Sequence, residues 1–245
     1  MHKSEYKRIE ELENKHFWYR AMGEQVIESI ASFVRKKKVI LDAGCGTGGM
    51  SLKLTRFGTV YAVDINETAL KFAQKKGLRH VIKASVSELP FQDDYFDLVV
   101  CLDVLYHKKV TDDTAALKEL YRVLKPKGLL LLRLPALEIL RGAHDIVVET
   151  RHRYTTGEVG RKMKTSGFTV VGISYANMLL TVPLLIKRSL ERIKGKRYFH
   201  SDSHPLPLLI NEIFYLILNC ENQLLKYISL PFGSSVVALG KKIPS

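Results

Sequence analysis

Along the first two thirds of the 245-residue chain, short continuous apolar runs alternate with stretches of helical periodicity. "KVILDAG", "TVYAVDI", "HVIKAS", "YFDLVVCLDVLYH" and "LLLLRLPA" are brief and almost uniformly apolar. They read as strands covered on both faces, the pattern of a parallel sheet. Between them, "MSLKLTRF", "NETALKFAQKKG" and "TDDTAALKELYRVLKPKG" carry helical spacing. Asn66 caps the second helix and Gly77 closes it; the third is capped near Thr111 and stops at Pro126 and Gly128. A helix in "YTTGEVGRKMKTSGF", ending at Gly167, and strands in "FTVVGISYA" and "SSVVALGKK" complete the series. The rhythm predicts an α/β, doubly wound sheet with ligands at the carboxyl ends of its strands.

The pattern breaks between Asn177 and Phe232, where apolar segments flank the basic run "KRSLERIKGKR". Neither segment offers the roughly 20 apolar residues of a membrane-spanning helix. Pro183 interrupts the first, and Asn211, Glu212, Asn219 and Glu221 interrupt the second. The expected organisation is therefore an N-terminal helical lid (1–38), a sheet domain (39–176 with 233–245) and an inserted helical cap (177–232).

Composition narrows the setting. Cys45, Cys101 and Cys220 are odd in number and have no paired spacing, which favours reduced thiols in a cytoplasmic compartment. The charged start "MHKSEYKRIEELENKHFWYR" has no apolar core of signal-peptide type. A net charge of +13 fits an acidic partner, whether nucleic acid, an anionic membrane surface or an anionic substrate, and equally fits a solvated basic surface.

Chemistry concentrates in "VILDAGCGTGGMSLKL". Gly44, Gly46 and Gly49 have the G-x-G-x-x-G spacing of a nucleotide-binding turn, yet Asp42 stands two residues before the first glycine. A P-loop is excluded, because Gly48 is followed by Gly49 and Met50 rather than Lys and Ser or Thr. A dinucleotide would bring its phosphates close to Asp42, a repulsive arrangement in a partly dry pocket. A ligand with an ammonium and a sulfonium reverses that sign, and S-adenosylmethionine is such a ligand. Asp64, twenty residues after Gly44 and ending "YAVD", suits the ribose hydroxyls of either nucleoside.

"VILDAGCGTGG", "VYAVDIN", "SELPFQDDYFDLVVCLDVLYH" and "LYRVLKPKGLLLL" together resemble the ordered motifs of class I S-adenosylmethionine-dependent methyltransferases of the small-molecule, type 11-like kind. The resemblance runs from Val39 to Leu134. It implies a Rossmann-like, seven-stranded, mostly parallel sheet whose last strand is antiparallel, a role "SSVVALG" suits. It also implies a donor site: Asp42, Gly44, Cys45 and Gly46 beneath the methionine moiety, Asp64 at the ribose and Ile65 on the adenine. Ser85 and Val86 would meet the adenine edge, with Cys101 and Leu102 under the donor. Ser85 departs from the family, which usually carries Asp there, and Tyr106-His107 stands where Glu-His is more frequent.

Methyl transfer from a sulfonium needs alignment and, for some acceptors, a general base, but no metal. His107 and His152 are the candidate bases. Tyr106, Arg153 and Tyr154 are candidate acceptor contacts, with His144, Asp145 and Arg151 nearby. His and Asp spacing here matches no familiar metal site. "KHFWYRAM" could form a lid that sets Tyr19 and Arg20 near the methionine carboxylate. The expected product is S-adenosylhomocysteine and the acceptor is a small molecule or is lipid- or glycan-linked. An RNA-binding methyltransferase is the alternative; against nucleic acid, "LDVLY" follows the fourth strand, not the Asn-Pro-Pro-Tyr type of motif. The cap reads as a peripheral membrane contact, a homodimer interface or a closed helical cover.

Overall fold

A computed structural model of the protein describes residues 3–31, 33–34, 37–193 and 204–243. Two helices, α1 (Lys3–Leu12) and α2 (Phe17–Ala31), precede the first strand, β1 (Lys38–Ala43). Next come α3 (Gly49–Leu54), β2 (Gly58–Asp64), α4 (Glu67–Lys75), β3 (His80–Lys83), β4 (Phe96–Leu102), α5 (Asp113–Val123) and β5 (Leu124–Pro135). A 3-10 turn at Glu138–Leu140 leads to α6 (Ala143–Val147), α7 (Thr156–Thr165), β6 (Phe168–Ala176), α8 (Met178–Ile193), α9 (Leu208–Leu224) and β7 (Ser235–Lys242). The strands form one sheet in the order β3-β2-β1-β4-β5-β7-β6. All neighbours are parallel except β7, which runs antiparallel between β5 and β6. The expected seven-stranded, Rossmann-like sheet with an antiparallel last strand is present.

Both sheet faces are covered, which is why the central strands are apolar throughout. Leu41, Val99, Cys101, Leu130 and Leu132 pack on one side. Ile40, Leu98, Val100, Leu129 and Leu131 alternate with them and pack on the other, against Val26 and Ile30 of α2 and Leu54 of α3. Because side chains alternate along a strand, the next residues of this second set are Asp42, Leu102 and Arg133. The alternation thus carries two charged residues to the carboxyl edge of the sheet beneath α2.

Several boundaries differ from the sequence-based expectation for local reasons. The N-cap of α5 is Asp112, whose Oδ1 accepts from the N–H groups of Thr114 (2.8 Å) and Ala115 (3.1 Å). That helix ends at Val123, so Lys125 to Gly128 open β5, with a register shift opposite Phe96 to Leu98. Pro126 cannot donate to a ladder and Lys127 has φ of 68°, so an irregular strand start follows. The fourth strand stops at Leu102 because Asp103 turns the chain at φ 53°. Pro183 lies within α8 and does not break it; in the second turn its ring removes one helical hydrogen bond, to the carbonyl of Leu179.

The N-terminal helix α2 and helix α9, the segments expected to be lid and cap, pack on each other. Asn222 accepts from Gln25 Nε2 (3.0 Å) and donates to the Ala21 carbonyl (3.0 Å), while Asn211 bonds Phe17 N–H (2.8 Å) and the Lys15 carbonyl (3.0 Å). Tyr215 donates to Glu24 (2.6 Å), and Arg20 pairs with Glu212. The end of the basic run, Lys194 to Arg197, lies outside the described residues. Among the described residues no helix is long and apolar enough to cross a membrane.

Candidate active site

The turn after β1 is built by backbone geometry that glycine permits. Gly44 and Gly46 take φ of 87° and 53°, and a Cβ on Gly44 would stand 2.2 Å from Val104. Gly44 and Cys45 N–H groups both donate to the Val63 carbonyl (2.7 and 2.8 Å), tying the turn to the end of β2. Asp64 completes that tie: its Oδ2 accepts from Gly46 N–H (3.0 Å) and its Oδ1 from Asn66 N–H (2.8 Å). Burial raises the Asp64 pKa, and these backbone donors oppose the shift.

Asp42 is almost fully buried beneath the turn and accepts from Ser51 Oγ (2.5 Å). Burial pushes its pKa up to about 6, with the Ser51 hydrogen bond acting in the opposite direction. The turn between α1 and α2 supplies a second carboxylate. Glu13 accepts from Thr47 Oγ1 (2.6 Å), pairs with Lys76 (2.8 Å), and would stand 2.2 Å from a Cβ on Gly49. The first turn of α3, where a pyrophosphate would sit, therefore faces a carboxylate of the protein itself.

These groups line one cavity of about 640 Å3. It runs from Asp64, Ile65, Ser85 and Val86, past the glycine turn and Leu102, to Trp18, Tyr19, Tyr106, His107, Arg133 and Arg153. Leu180, Pro183 and Leu184 of α8 and Phe214 of α9 close its far side. Ser85 Oγ accepts from Ser87 N–H at 3.2 Å, which leaves its hydroxyl one lone pair and one proton for the cavity.

Four expected residues fall outside the lining. Arg20 turns to the cap, paired with Glu212 and stacked 3.9 Å from the Tyr215 ring centre. Cys101 is sealed in the core. His152 lies 2.9 Å from Glu158. Tyr154 is fully buried and donates to Asp113 (2.8 Å), so it braces α5. Arg153 does reach the cavity, but Asp145 (2.8 Å) and the Ala136 carbonyl (2.9 Å) already hold its guanidinium. Arg151 is paired with Asp113. His107 faces the cavity, and burial lowers its pKa. Its Nδ1 accepts from Lys109 N–H (3.1 Å), which places the proton of the neutral ring on Nε2. The ring is thereby set to donate a hydrogen bond more readily than to take a proton.

Sequence reasoning missed Trp18, Lys53, Asp103 and Arg133. Arg133 is 2% exposed, pairs with Asp103, donates to Ser235 Oγ (2.9 Å) and lies 5.0 Å from the Trp18 ring centre. Its buried Nε has no hydrogen-bond partner among the described residues. The signal was present: Arg133 is the lone charge in "LLLLRLP", and strand parity sets it on the same sheet face as Asp42.

A family profile described as a methyltransferase domain matches residues 41–132. This stretch is a class I S-adenosylmethionine-dependent methyltransferase domain. The ubiquinone/menaquinone biosynthesis C-methyltransferase UbiE of Proteus mirabilis is 40% identical over 114 residues, covering 42% of this chain and 44% of that protein. The chain thus spans under half the length of that curated relative. Among solved structures, a SAM-dependent methyltransferase from Aquifex aeolicus superposes with a TM-score of 0.54 at 23% identity, covering 71% of this chain and 93% of that one. The [4+2]-cyclase SpnF gives 0.62 at 16%, covering 93% and 83%. At these identities the superpositions speak for the fold alone, and the fold hosts more than one chemistry.

The cofactor of this methyltransferase class is S-adenosylmethionine, and the cavity fits it. Asp42 and Glu13 oppose a pyrophosphate, Asp42 can face an ammonium, and Asp64 retains lone pairs for ribose hydroxyls. When bound, the donor supplies an electrophilic methyl group on a sulfonium. With the donor bound, the chain would hold Asp64 rigid at the ribose, keep the Asp42 carboxylate by the amine and enclose the reacting atoms.

Proposed function

We propose that the protein is a cytoplasmic methyltransferase acting on a small acceptor that enters beside the cap. One observation carries this reading: the donor-side residues and the cap share a single cavity, which continues past the glycine turn to Trp18, Arg133 and the apolar residues of α8. Its volume of about 640 Å3 is within the roughly 300–1,000 Å3 of small-molecule sites. Transfer is an in-line displacement. The acceptor atom bonds the methyl carbon, the carbon–sulfur bond breaks with its electron pair staying on sulfur, and S-adenosylhomocysteine leaves.

Relatives named for carbon methylation in ubiquinone and menaquinone biosynthesis support an apolar, lipid-linked acceptor. The outer surface agrees with that choice. Leu179, Val182, Ile186 and Leu190 form one exposed stripe on α8, and α9 exposes Leu209, Ile213 and Leu216. Among the described residues, Lys187 and Arg192 add exposed cations to the same helix α8. An apolar stripe bordered by cations suits an anionic bilayer surface, from which such an acceptor would be drawn.

The test is incubation with methyl-labelled donor and fractionated lipids, polar metabolites and RNA. Label in the lipid fraction is expected; label confined to RNA would overturn the reading. For the surface, Ile186→Glu should reduce sedimentation with vesicles containing phosphatidylglycerol while donor affinity stays unchanged. Equal sedimentation, or a loss of self-association instead, would assign the stripe to another contact.

A further inference from the structure

The carboxylate of the donor's amino-acid tail needs a cation, and the site offers few that are free. Arg133 is engaged by Asp103, Arg153 by Asp145 and Arg188 by Glu191. Arg20 is turned away to Glu212. The first turn of α3, the other positive feature beside the glycines, already faces Glu13.

Lys53 is different. It follows Gly49 and Met50 on the same face of α3, and all three line the cavity with Asp42 and the glycine turn. Its ammonium lies over α2 at Gly23, where a Cβ would stand 2.6 Å from Nζ. A mid-helix glycine is unfavourable relative to alanine; here it opens a channel for this side chain. Lys53 is half-buried, and burial lowers its pKa, while Glu13 and Glu24 pull it back up from beyond ion-pair distance. No carboxylate among the described residues lies within ion-pair distance of it.

We infer that Lys53, admitted by Gly23, binds the carboxylate of the methionine tail, opposite Asp42 at the ammonium. The pair reads the tail as a zwitterion. This inference rests on the donor reading of the site and assigns to Lys53 the part that the lid motif suggested for Arg20.

The test is calorimetric titration of wild type, Lys53→Met and Lys53→Arg with S-adenosylhomocysteine and with decarboxylated S-adenosylmethionine, which lacks only the carboxylate at that end. For S-adenosylhomocysteine, Lys53→Met should weaken binding roughly tenfold to a hundredfold, the range of a hydrogen bond between charged groups, with Lys53→Arg recovering most of it. For the decarboxylated compound the three proteins should bind alike. Equal losses for both ligands, or no loss for either, would overturn the inference. Wild type that binds neither ligand would overturn the donor reading itself. Gly23→Ala, which displaces the ammonium without removing it, should reproduce the ligand-selective loss; unchanged affinity there would count against the channel.

Discussion

The donor side and the cap side of the cavity are held together by different means. On the donor side, Asp64 is fixed by the backbone amides of Asn66, 2 residues on, and Gly46, 18 residues back, and the turn is pinned to the Val63 carbonyl. On the cap side, polar side chains meet across nearly two hundred residues of sequence, as Gln25 does with Asn222 and Arg20 with Glu212. A site wired through its own backbone is rigid and written locally. A cover joined by side chains can be remodelled by single substitutions, and it suits the half of the cavity where the acceptor is proposed to enter.

The sharpest way to break this contrast is at Asp64. Asp64→Ala removes the acceptors for two turn amides as well as for the ribose, so S-adenosylhomocysteine affinity should fall about a hundredfold or more, given 1.5–3 kcal/mol per charged hydrogen bond. Calorimetry checks it; unchanged affinity would show that the donor side is not wired as described.

A second, smaller effect is a pH dependence. With the Asp42 pKa raised to about 6, protonation below that pH removes the charge that faces the ammonium. A bound cation lowers the carboxyl's pKa, so binding releases a proton and strengthens as pH rises through 6. Affinity should fall up to about tenfold per unit below pH 6, and Asp42→Asn should bind weakly with a flat profile. In the unliganded protein the sign is opposite: the raised pKa favours the fold at acid pH, a contribution lost as pH rises through about 6. A flat wild-type profile would remove Asp42 from the ammonium site.

The mildest change loosens the cover alone. Gln25→Ala leaves the buried Asn222 carbonyl oxygen without its partner. Thermal unfolding should show a loss of about 1–3 kcal/mol, with S-adenosylhomocysteine affinity nearly unchanged. A large loss of donor affinity would mean that the cover also shapes the donor half.

Residues near one another in the chain made the donor half legible. The apolar runs named the strands, the glycines named the turn, and Asp42 argued against a pyrophosphate before any coordinates. Helix ends were less legible where competing caps adjoin, as at Thr111 and Asp112, or where a strand began inside an expected helix stop, as at Pro126.

What the sequence determined by itself was the sheet, its ligand edge and the sign of charge the turn prefers, because strand alternation and short-range hydrogen bonding depend on neighbours in sequence. Only the tertiary structure decided which polar side chains reach the cavity. His152 and Arg20 were drawn off by Glu158 and Glu212, whereas Lys53 was brought in by packing against α2 at Gly23. The physical reason is that a charged side chain goes where its partner and its solvation are best, and packing sets both.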